Sequence, residues 1–480
     1  MKGLDYYDCL NTFKKRYDDL RADMKLRRKD SKMRHVALTI AGSDSSSAAG
    51  VQGDLRMFSA LGVYACTVVT AITVQNTRKI ISVAPVDDDL ISQQISCIIS
   101  DIPPSAVKIG MIHNVPAIKA AANALSSIKC PIVLDPVMYA TNKAALLEDD
   151  ALHYLLSAFA PNLHAITPNI PEAEKLSGKS ILKKKDFLEV AKTIQKSGAK
   201  NVIITGGHGL GKIMSDYLLQ EDGKEIWISR SRIPIKDLHG SGCNFSSALA
   251  AFIAKGFSLS DSFELTNEFM HKVIQDAYFI GRGLPVTDPF FPMYNDACRF
   301  KVLQRIQEAL DCLESMENLG HLIPETQSNI VFALEEANSI DDVAGVKGRI
   351  VRIGNRAKPT MHALFGSSYH MANAILAYQK FNPKIRSAMN IKYDVRIKTI
   401  CSSRFRISHY QREREPRQIK VQDGRSIFWG ITEALRKKPG AEIIYHTGDI
   451  GKEAMTMIFG YEPFDVINKL KIILEEYHEI

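Results

Sequence analysis

Short apolar runs that stop on small or polar residues recur through the first 290 positions of the chain. HVALTIAGSD, starting at His35, is followed by TVVTAITVQ, AVKIGM, PIVLDPV, HAITPNI and NVIITGG, each running into Gly, Pro, Asn or Asp. Such runs predict buried strands ending in loops. Amphipathic stretches such as DFLEVAKTIQKSG lie between several of them and predict helices. The alternation predicts a mainly parallel sheet with helices on its faces, and ligands bind such sheets at the carboxyl ends of the strands. After GRGLPVTDP the rhythm stops, and RFKVLQRIQEALDCLESME reads as one amphipathic helix opening a second unit. The 480 residues suffice for two or three domains at roughly 150 residues each. The expected organisation is a basic N-terminal extension over 1–35, a mainly parallel α/β/α sandwich over 36–288, a linker over 289–296 and a second, smaller α/β domain over 297–480.

Composition narrows the function classes. Hydrophobic residues make up 45% and charged residues 24%, which excludes a mainly disordered or collagen-like chain. No stretch approaches the ~18 uncharged apolar residues of a membrane span, and the first 35 residues mix Asp with Lys and Arg where a signal peptide needs an apolar block. A cytoplasmic protein without a membrane partner is the expectation. The eight cysteines, at 9, 66, 97, 130, 243, 298, 312 and 401, form no C-x-x-C pair, which argues against a zinc module or a disulfide framework. Residues 1–34 carry 11 Lys or Arg against 6 Asp, and so hold five of the eight excess positive charges. KKRYDDLRADMKLRRKD reads as a solvated helix or tail rather than a nucleic-acid arm.

Two local patterns carry chemistry. In DLHGSGCNFSSALAAFIAKG a Gly-rich turn runs into a helix starting near Gly242, and the glycines let the backbone amides of Gly240, Ser241, Gly242 and Cys243 converge on an anion such as phosphate. Cys243 in that first turn has its thiolate favoured by the positive helix end, and so is a candidate base for a substrate hydroxyl. The plain alternative is helix capping with a buried small cysteine. In ITPNIPEAEKL, Asn169 and Glu172 stand three apart, and a carboxylate there suits a hydrated Mg²⁺ bridging nucleotide phosphates. Asn as N-cap with Glu in the first turn is the metal-free reading. Asp135, at a strand end before proline, has the same two readings. These three residues gain weight only together.

In this order the motifs closely resemble the ribokinase-like hydroxymethylpyrimidine and phosphomethylpyrimidine kinases of thiamine biosynthesis, over roughly residues 36–288. The resemblance rests on AGSDSSSAAGVQGDL, FSALGVYACTVVTAITVQNT, KIGM, LDPVM, TPNIPEAE and HGSGC. It implies a ribokinase-like fold, ATP as co-substrate with Mg²⁺, and two successive phosphorylations in one pocket. It further implies a pyrimidine near Asp54 and Gln75 with Met111 close by, a γ-phosphate in the Gly240–Ser241–Gly242 turn with Asp135 and Asn169 on the nucleotide side, Glu172 toward the metal, and Cys243 as the proton acceptor. The chain departs from the family pattern at Ser47 and Ala48, which replace paired glycines, at Ser241, which replaces threonine, and at Thr205, which replaces a lysine before Gly206, Gly207 and His208. Lys212 is the nearby cation that can stand in.

The second unit, read cold, is an α/β domain with a helix after FGSS, which Ser367 and Ser368 can cap, with His370 in its first turn and Arg349 in a strand-like run. A histidine near a cap and an arginine in a strand are each commonly structural. Residues 297–480 resemble the ThiN-type thiamine-phosphate synthase domain, with Arg349 in G-R-I and His370 in F-G-x-S-x-H. The resemblance implies condensation of the pyrimidine diphosphate with a thiazole phosphate and release of pyrophosphate, a step for which a bidentate Arg and a protonatable His are apt. ThiN-like domains also serve as ligand sensors in transcriptional regulators, so a pyrimidine kinase with a thiamine-phosphate-sensing tail is the second reading. The expected partners are small-molecule substrates and further copies of the chain in a homo-oligomer.

Overall fold

The computed structural model describes residues 35–139, 146–160, 162–208, 212–235, 237–416, 419, 425–449 and 451–479, so the basic N-terminal extension lies outside the described residues. The chain divides into two compact units, Met1–Met293 and Tyr294–Ile480.

The strands of the first unit are β1 (Val36–Asp44), β2 (Tyr64–Gln75), β3 (Ile80–Pro85), β4 (Ala106–Ile109), β5 (Ile132–Leu134), β6 (Leu163–Ile166), β7 (Asn201–Ile204), β8 (Ile213–Leu219) and β9 (Glu225–Ser231). They form one sheet in the order β3-β2-β1-β4-β5-β6-β7-β8-β9. The six from β2 to β7 are parallel, while β3, β8 and β9 add antiparallel edges. The six parallel strands are the six runs that the sequence pattern predicts. The edge strands escape that pattern because IISVAP in β3 and EIWISRS in β9 bury no residue fully.

The helices are α1 (Gly50–Ala60), α2 (Asp88–Asp101), α3 (Val115–Ala124), α4 (Asp149–Phe159), α5 (Ile170–Ser177), α6 (Asp186–Lys196), α7 (Ser241–Ala254) and α8 (Leu259–Gln275). Helix α6 buries Phe187, Val190, Ala191 and Ile194, the 3–4 spacing of one helical face. It packs with α2, α3 and α4 over one face of the sheet. Met57 and Phe58 of α1, Phe245 and Leu249 of α7, and Phe263 and Met270 of α8 cover the other. Helix α7 is more than amphipathic: every residue from Asn244 to Ala254 is buried. Because six neighbouring strands are parallel, their carboxyl ends share one edge of the sheet. Asp44, Gln75, Met111, Asp135, Asn169 and Thr205 all lie at or just beyond those ends.

The second unit follows a long helix, α9 (Phe291–Ser315), whose first turns occupy much of the stretch expected as linker. Its strands are β10 (Ile330–Ala333), β11 (Val343–Val346), β12 (Ile350–Ile353), β13 (Arg356–Pro359), β14 (Ala363–Phe365), β15 (Ser387–Lys392), β16 (Ile407–His409), β17 (Ile443–His446) and β18 (Met455–Gly460). Seven of them form a mostly antiparallel sheet in the order β14-β11-β10-β15-β18-β17-β16, and β12 with β13 makes a separate hairpin. Helices α9, α11 (Val395–Arg404) and α13 (Pro463–Glu479) cover one face; α10 (Tyr369–Gln379) and α12 (Arg425–Lys437) cover the other. Among the described residues no helix is long and apolar enough to cross a membrane.

Candidate active sites

In the first unit the turn before α7 is built for close approach of backbone to backbone. Gly240 sits at φ +81°, and a Cβ there would lie 2.0 Å from the carbonyl oxygen of Ala48. Only glycine fits both constraints. Gly240 is also the N-cap of α7 and offers the helix no side chain, so the first amides of a fourteen-residue helix open toward the site. Facing them is the Ser45–Ala49 loop, gathered around Asp44, whose Oδ1 accepts from Ser46 N and Oγ and whose Oδ2 accepts from Ala48 N and Ala49 N. Ser47, one of the departures from the family pattern, holds the left-handed φ of +61° that a glycine adopts without strain.

Cys243 is half-buried in the first turn of α7, near enough to Lys108, Asp135 and Asp54 for their charges to act on its thiol. Ser246 Oγ donates to Asp135, at 3.0 Å. Burial pushes the Cys243 thiol up, Lys108 opposes this, and the Asp135 and Asp54 charges push it further the same way. Burial and the neighbouring carboxylates thus work against the thiolate that the helix end was expected to favour. Asp135 is itself raised, by burial, against the pull of Lys108.

Lys108 was not visible as a site residue. It is fully buried on β4, with Nζ 3.0 and 2.9 Å from the two oxygens of Asp54. Asp54 also accepts from Thr39 Oγ1 at 2.6 Å and Ser247 Oγ at 2.5 Å, and it too is fully buried. The expected contact of Asp54 with a pyrimidine is thus replaced by an internal role: its oxygens are engaged within the fold behind Cys243. Asp44, ten residues earlier, is the carboxylate that stands beside Gln75.

Gln75 closes β2 and is pinned to the β1 end through Ser45, whose Oγ donates to Gln75 O at 2.8 Å and accepts from Gln75 N at 3.1 Å. Its amide lies 3.1 Å from His239 Nε2, which lies 3.2 Å from Asp44 Oδ2. His239 immediately precedes the Gly-rich turn, so Gln75 and Gly240 are joined through it. Met111 is buried against Ala71 and Leu146, and its Sδ would lie 2.9 Å from a Cβ on Gly42.

Asn169 caps α5: its Oδ1 accepts from Glu172 N at 3.0 Å, and Glu172 Oε2 accepts from Asn169 N at 2.9 Å. The capping reading of these two residues is therefore realised. Glu172 has a second property that capping does not need. Burial, reinforced by the nearby Asp135 charge, pushes its carboxyl up to about 8. Thr205 pairs with Asn169 as an isolated bridge, and Gly206 N donates to Asp216 Oδ1 at 2.7 Å. Lys212 is exposed, while Arg232 Nη1 donates to Gly207 O at 2.9 Å and places a cation on this loop. Among the described residues no group of three or more His, Cys, Asp or Glu is arranged to hold a metal.

In the second unit Arg349 lies in the turn just before β12, exposed, with its N donating to Thr360 Oγ1 at 2.9 Å and its Nη1 to Thr326 O. Glu453 grips the same segment, accepting from Glu325 N, Thr326 N and Thr326 Oγ1. His370 is exposed in the first turn of α10, its ring edge-on to Tyr369 at 5.9 Å. The expected serine caps are absent: Ser368 makes no side-chain bond to the helix, and Ser367 Oγ donates backward to Leu364 O at 2.8 Å. A Cβ on Gly345 would lie 2.8 Å from Ser368 Cβ, so the start of α10 presses on the end of β11, four residues before Arg349. Asn329 braces that strand end, with Oδ1 accepting from Val346 N and Nδ2 donating to Val346 O.

Each unit matches a family of known proteins. The phosphomethylpyrimidine kinase family model matches residues 44–288, and the model for thiamine-phosphate synthase ThiN matches residues 305–472. The hydroxymethylpyrimidine/phosphomethylpyrimidine kinase of Rhizobium meliloti is 38% identical over 267 residues, covering 55% of this chain and all of the relative. The bifunctional thiamine biosynthesis protein ThiDN of Methanocaldococcus jannaschii is 28% identical over 447 residues, 93% of this chain and all of that one. Among solved structures, the ADP complex of the Staphylococcus aureus pyridoxal kinase superposes with a TM-score of 0.50 at 28% identity, covering 54% of this chain and 94% of that chain. With a ribokinase-like first unit and a ThiN-type second one, the chain belongs to the phosphomethylpyrimidine kinase family in its fused form and is a bifunctional enzyme of thiamine biosynthesis, a kinase and a thiamine-phosphate synthase in one polypeptide.

Proposed function

We propose that the first unit phosphorylates 4-amino-5-hydroxymethyl-2-methylpyrimidine and then its monophosphate with ATP, and that the second joins the diphosphate to 4-methyl-5-(2-phosphoethyl)thiazole. The observation that carries the kinase reading is convergence: the open start of α7, the Cys243–Asp135 pair and Gln75 meet at one edge of the sheet. The hydroxymethyl oxygen bonds to the γ-phosphorus while the bond from that phosphorus to the β-phosphate oxygen breaks. The amides of Ser241, Gly242 and Cys243 hold the transferring group, and such catalysis is mostly positioning and charge stabilisation. The hydroxyl proton passes to Cys243 as the thiol gives its own to Asp135. Burial raises the Asp135 carboxyl, which makes it a better proton acceptor than an exposed aspartate.

A magnesium ion fits beside Glu172. This buried carboxyl and Asp135 already oppose each other's charge, and a hard cation that keeps most of its waters takes one or two such oxygens. Held there, it would supply positive charge against the nucleotide phosphates. Asn169 orders the Glu172 carboxylate through the shared cap.

In the second unit the thiazole nitrogen bonds to the pyrimidine methylene carbon as the carbon–oxygen bond to pyrophosphate breaks. Arg349 receives the departing anion, and His370 at the start of α10 adds a protonatable donor. The kinase assignment is tested with Cys243→Ala. The first phosphorylation, in which a hydroxyl must lose its proton, should fall by roughly 10²–10⁴-fold, the range for a positioned base, with condensation at the parent rate. Parent-level phosphorylation would remove Cys243 from the mechanism.

A further inference from the structure

We infer that His239, oriented by Asp44, turns the side-chain amide of Gln75 so that its NH2 group faces the substrate ring, which makes His239 a specificity-determining positioning residue of the kinase site. The inference rests on the proposal that the pyrimidine meets Gln75.

The backbone of His239 is fixed on both sides. Its N donates to Pro285 O at 3.0 Å, and the next residue is the sterically locked Gly240. The imidazole Nε2 then has two neighbours, Asp44 Oδ2 at 3.2 Å and the Gln75 amide at 3.1 Å. One ring nitrogen carries at most one hydrogen. Burial works against the Asp44 charge, but bonds from His239, Ser46 and Ala49 outweigh it and hold the carboxyl below its ordinary value. A carboxylate facing a bare nitrogen lone pair is repulsive, so Asp44 requires the proton on Nε2.

With N–H at that position, an amide NH2 pointing at it sets donor against donor. Rotating the nearly symmetric amide by half a turn puts Oε1 there instead, where it shares the N–H. The Gln75 backbone, clamped by Ser45, fixes where the other branch goes. The NH2 is left to meet a ring-nitrogen acceptor, and a ring lacking one leaves that donor unpaired. His239 acts without touching the reacting atoms.

The test compares kcat/KM for the hydroxymethylpyrimidine with that for its two pyridine analogues, in which one or other ring nitrogen is replaced by C–H. The full-length parent, His239→Phe, His239→Gln and Gln75→Leu are each measured at saturating MgATP. The parent should favour the pyrimidine over one analogue by roughly 10- to 100-fold, the range for one unpaired buried donor. His239→Phe should bring that ratio close to parity through KM, leaving KM for ATP unchanged, and His239→Gln, which restores a donor, should recover part of it. A His239→Phe enzyme that keeps the parent ratio while Gln75→Leu loses it overturns the inference and leaves the Gln75 reading standing. If Gln75→Leu also keeps the ratio, the pyrimidine does not meet Gln75 and both fall. A fall in kcat with the ratio intact would make His239 merely structural.

Discussion

Replacing Lys108 with Met removes the cation from a fully buried ion pair and leaves the Asp54 carboxylate with only the hydroxyls of Thr39 and Ser247. Breaking one side of such a pair costs about 3–5 kcal/mol because an uncompensated charge stays inside. The destabilisation of Lys108→Met should therefore be about 3–4 kcal/mol at pH 7. For a domain of this size that is a fall in Tm of very roughly 6–16 °C at neutral pH. The two tryptophans, Trp227 and Trp429, fall in different units, so Trp429→Phe leaves a reporter for the first unit alone. Trp227 packs between Phe187 and Tyr217, and its fluorescence should follow unfolding in urea. A loss below 1 kcal/mol at pH 7 would refute the claim that Lys108 neutralises Asp54 in the core.

Three further outcomes follow from single positions. His446 is buried beside the Tyr410 ring, its Nδ1 accepting from Gly448 N, and burial with help from Arg412 and Lys452 lowers it to about 3. The unfolded chain binds that proton first, so stability of the second unit should be lost as pH falls from about 6.5 to about 3, by up to ~1.4 kcal/mol per pH unit. His446→Gln, followed through Trp429 in a Trp227→Phe background, should flatten that slope. Gly240→Ala should abolish phosphorylation or destabilise the first unit outright, since its Cβ meets the Ala48 carbonyl; near-normal kinetics would show that the turn can relax. Ser47→Gly should raise first-unit stability by about 0.5–1 kcal/mol by removing a left-handed serine, and a destabilised variant in the same urea titration would contradict the strain assigned there.

The parallel core was readable because central strands bury both faces, so β5 appears as an unbroken apolar run. The edge strands β3 and β9 bury no residue fully and gave no such signal. At the kinase site several chemistry-bearing motifs lay next to Gly and Pro punctuation, which is why Gly240, Cys243 and Asp135 stood out, whereas Gln75 stood out only through the family resemblance. Lys108 was hidden as one more residue of a strand, since a sequence does not say that a lysine in AVKIGM is buried opposite an aspartate 54 residues away. Asp54 misled for the same reason. His239 lay inside the quoted motif, yet its link to Gln75 spans 164 positions and exists only after β2 and the α7 turn reach the same edge. Glu453 carried a weaker sign, the Gly-rich turn TGDIGKE, that marks a loop without naming its partner.

The central claim is that two consecutive activities share this chain. It is tested most directly by giving the full-length protein hydroxymethylpyrimidine diphosphate, thiazole phosphate and Mg²⁺ without ATP, and following thiamine phosphate as thiochrome fluorescence after oxidation. The account predicts product from the parent and from Cys243→Ala at equal rates, and its loss in Arg349→Ala and His370→Ala. No product from the parent, with thiamine phosphate still bound, would contradict it and make the second unit a sensor attached to a kinase.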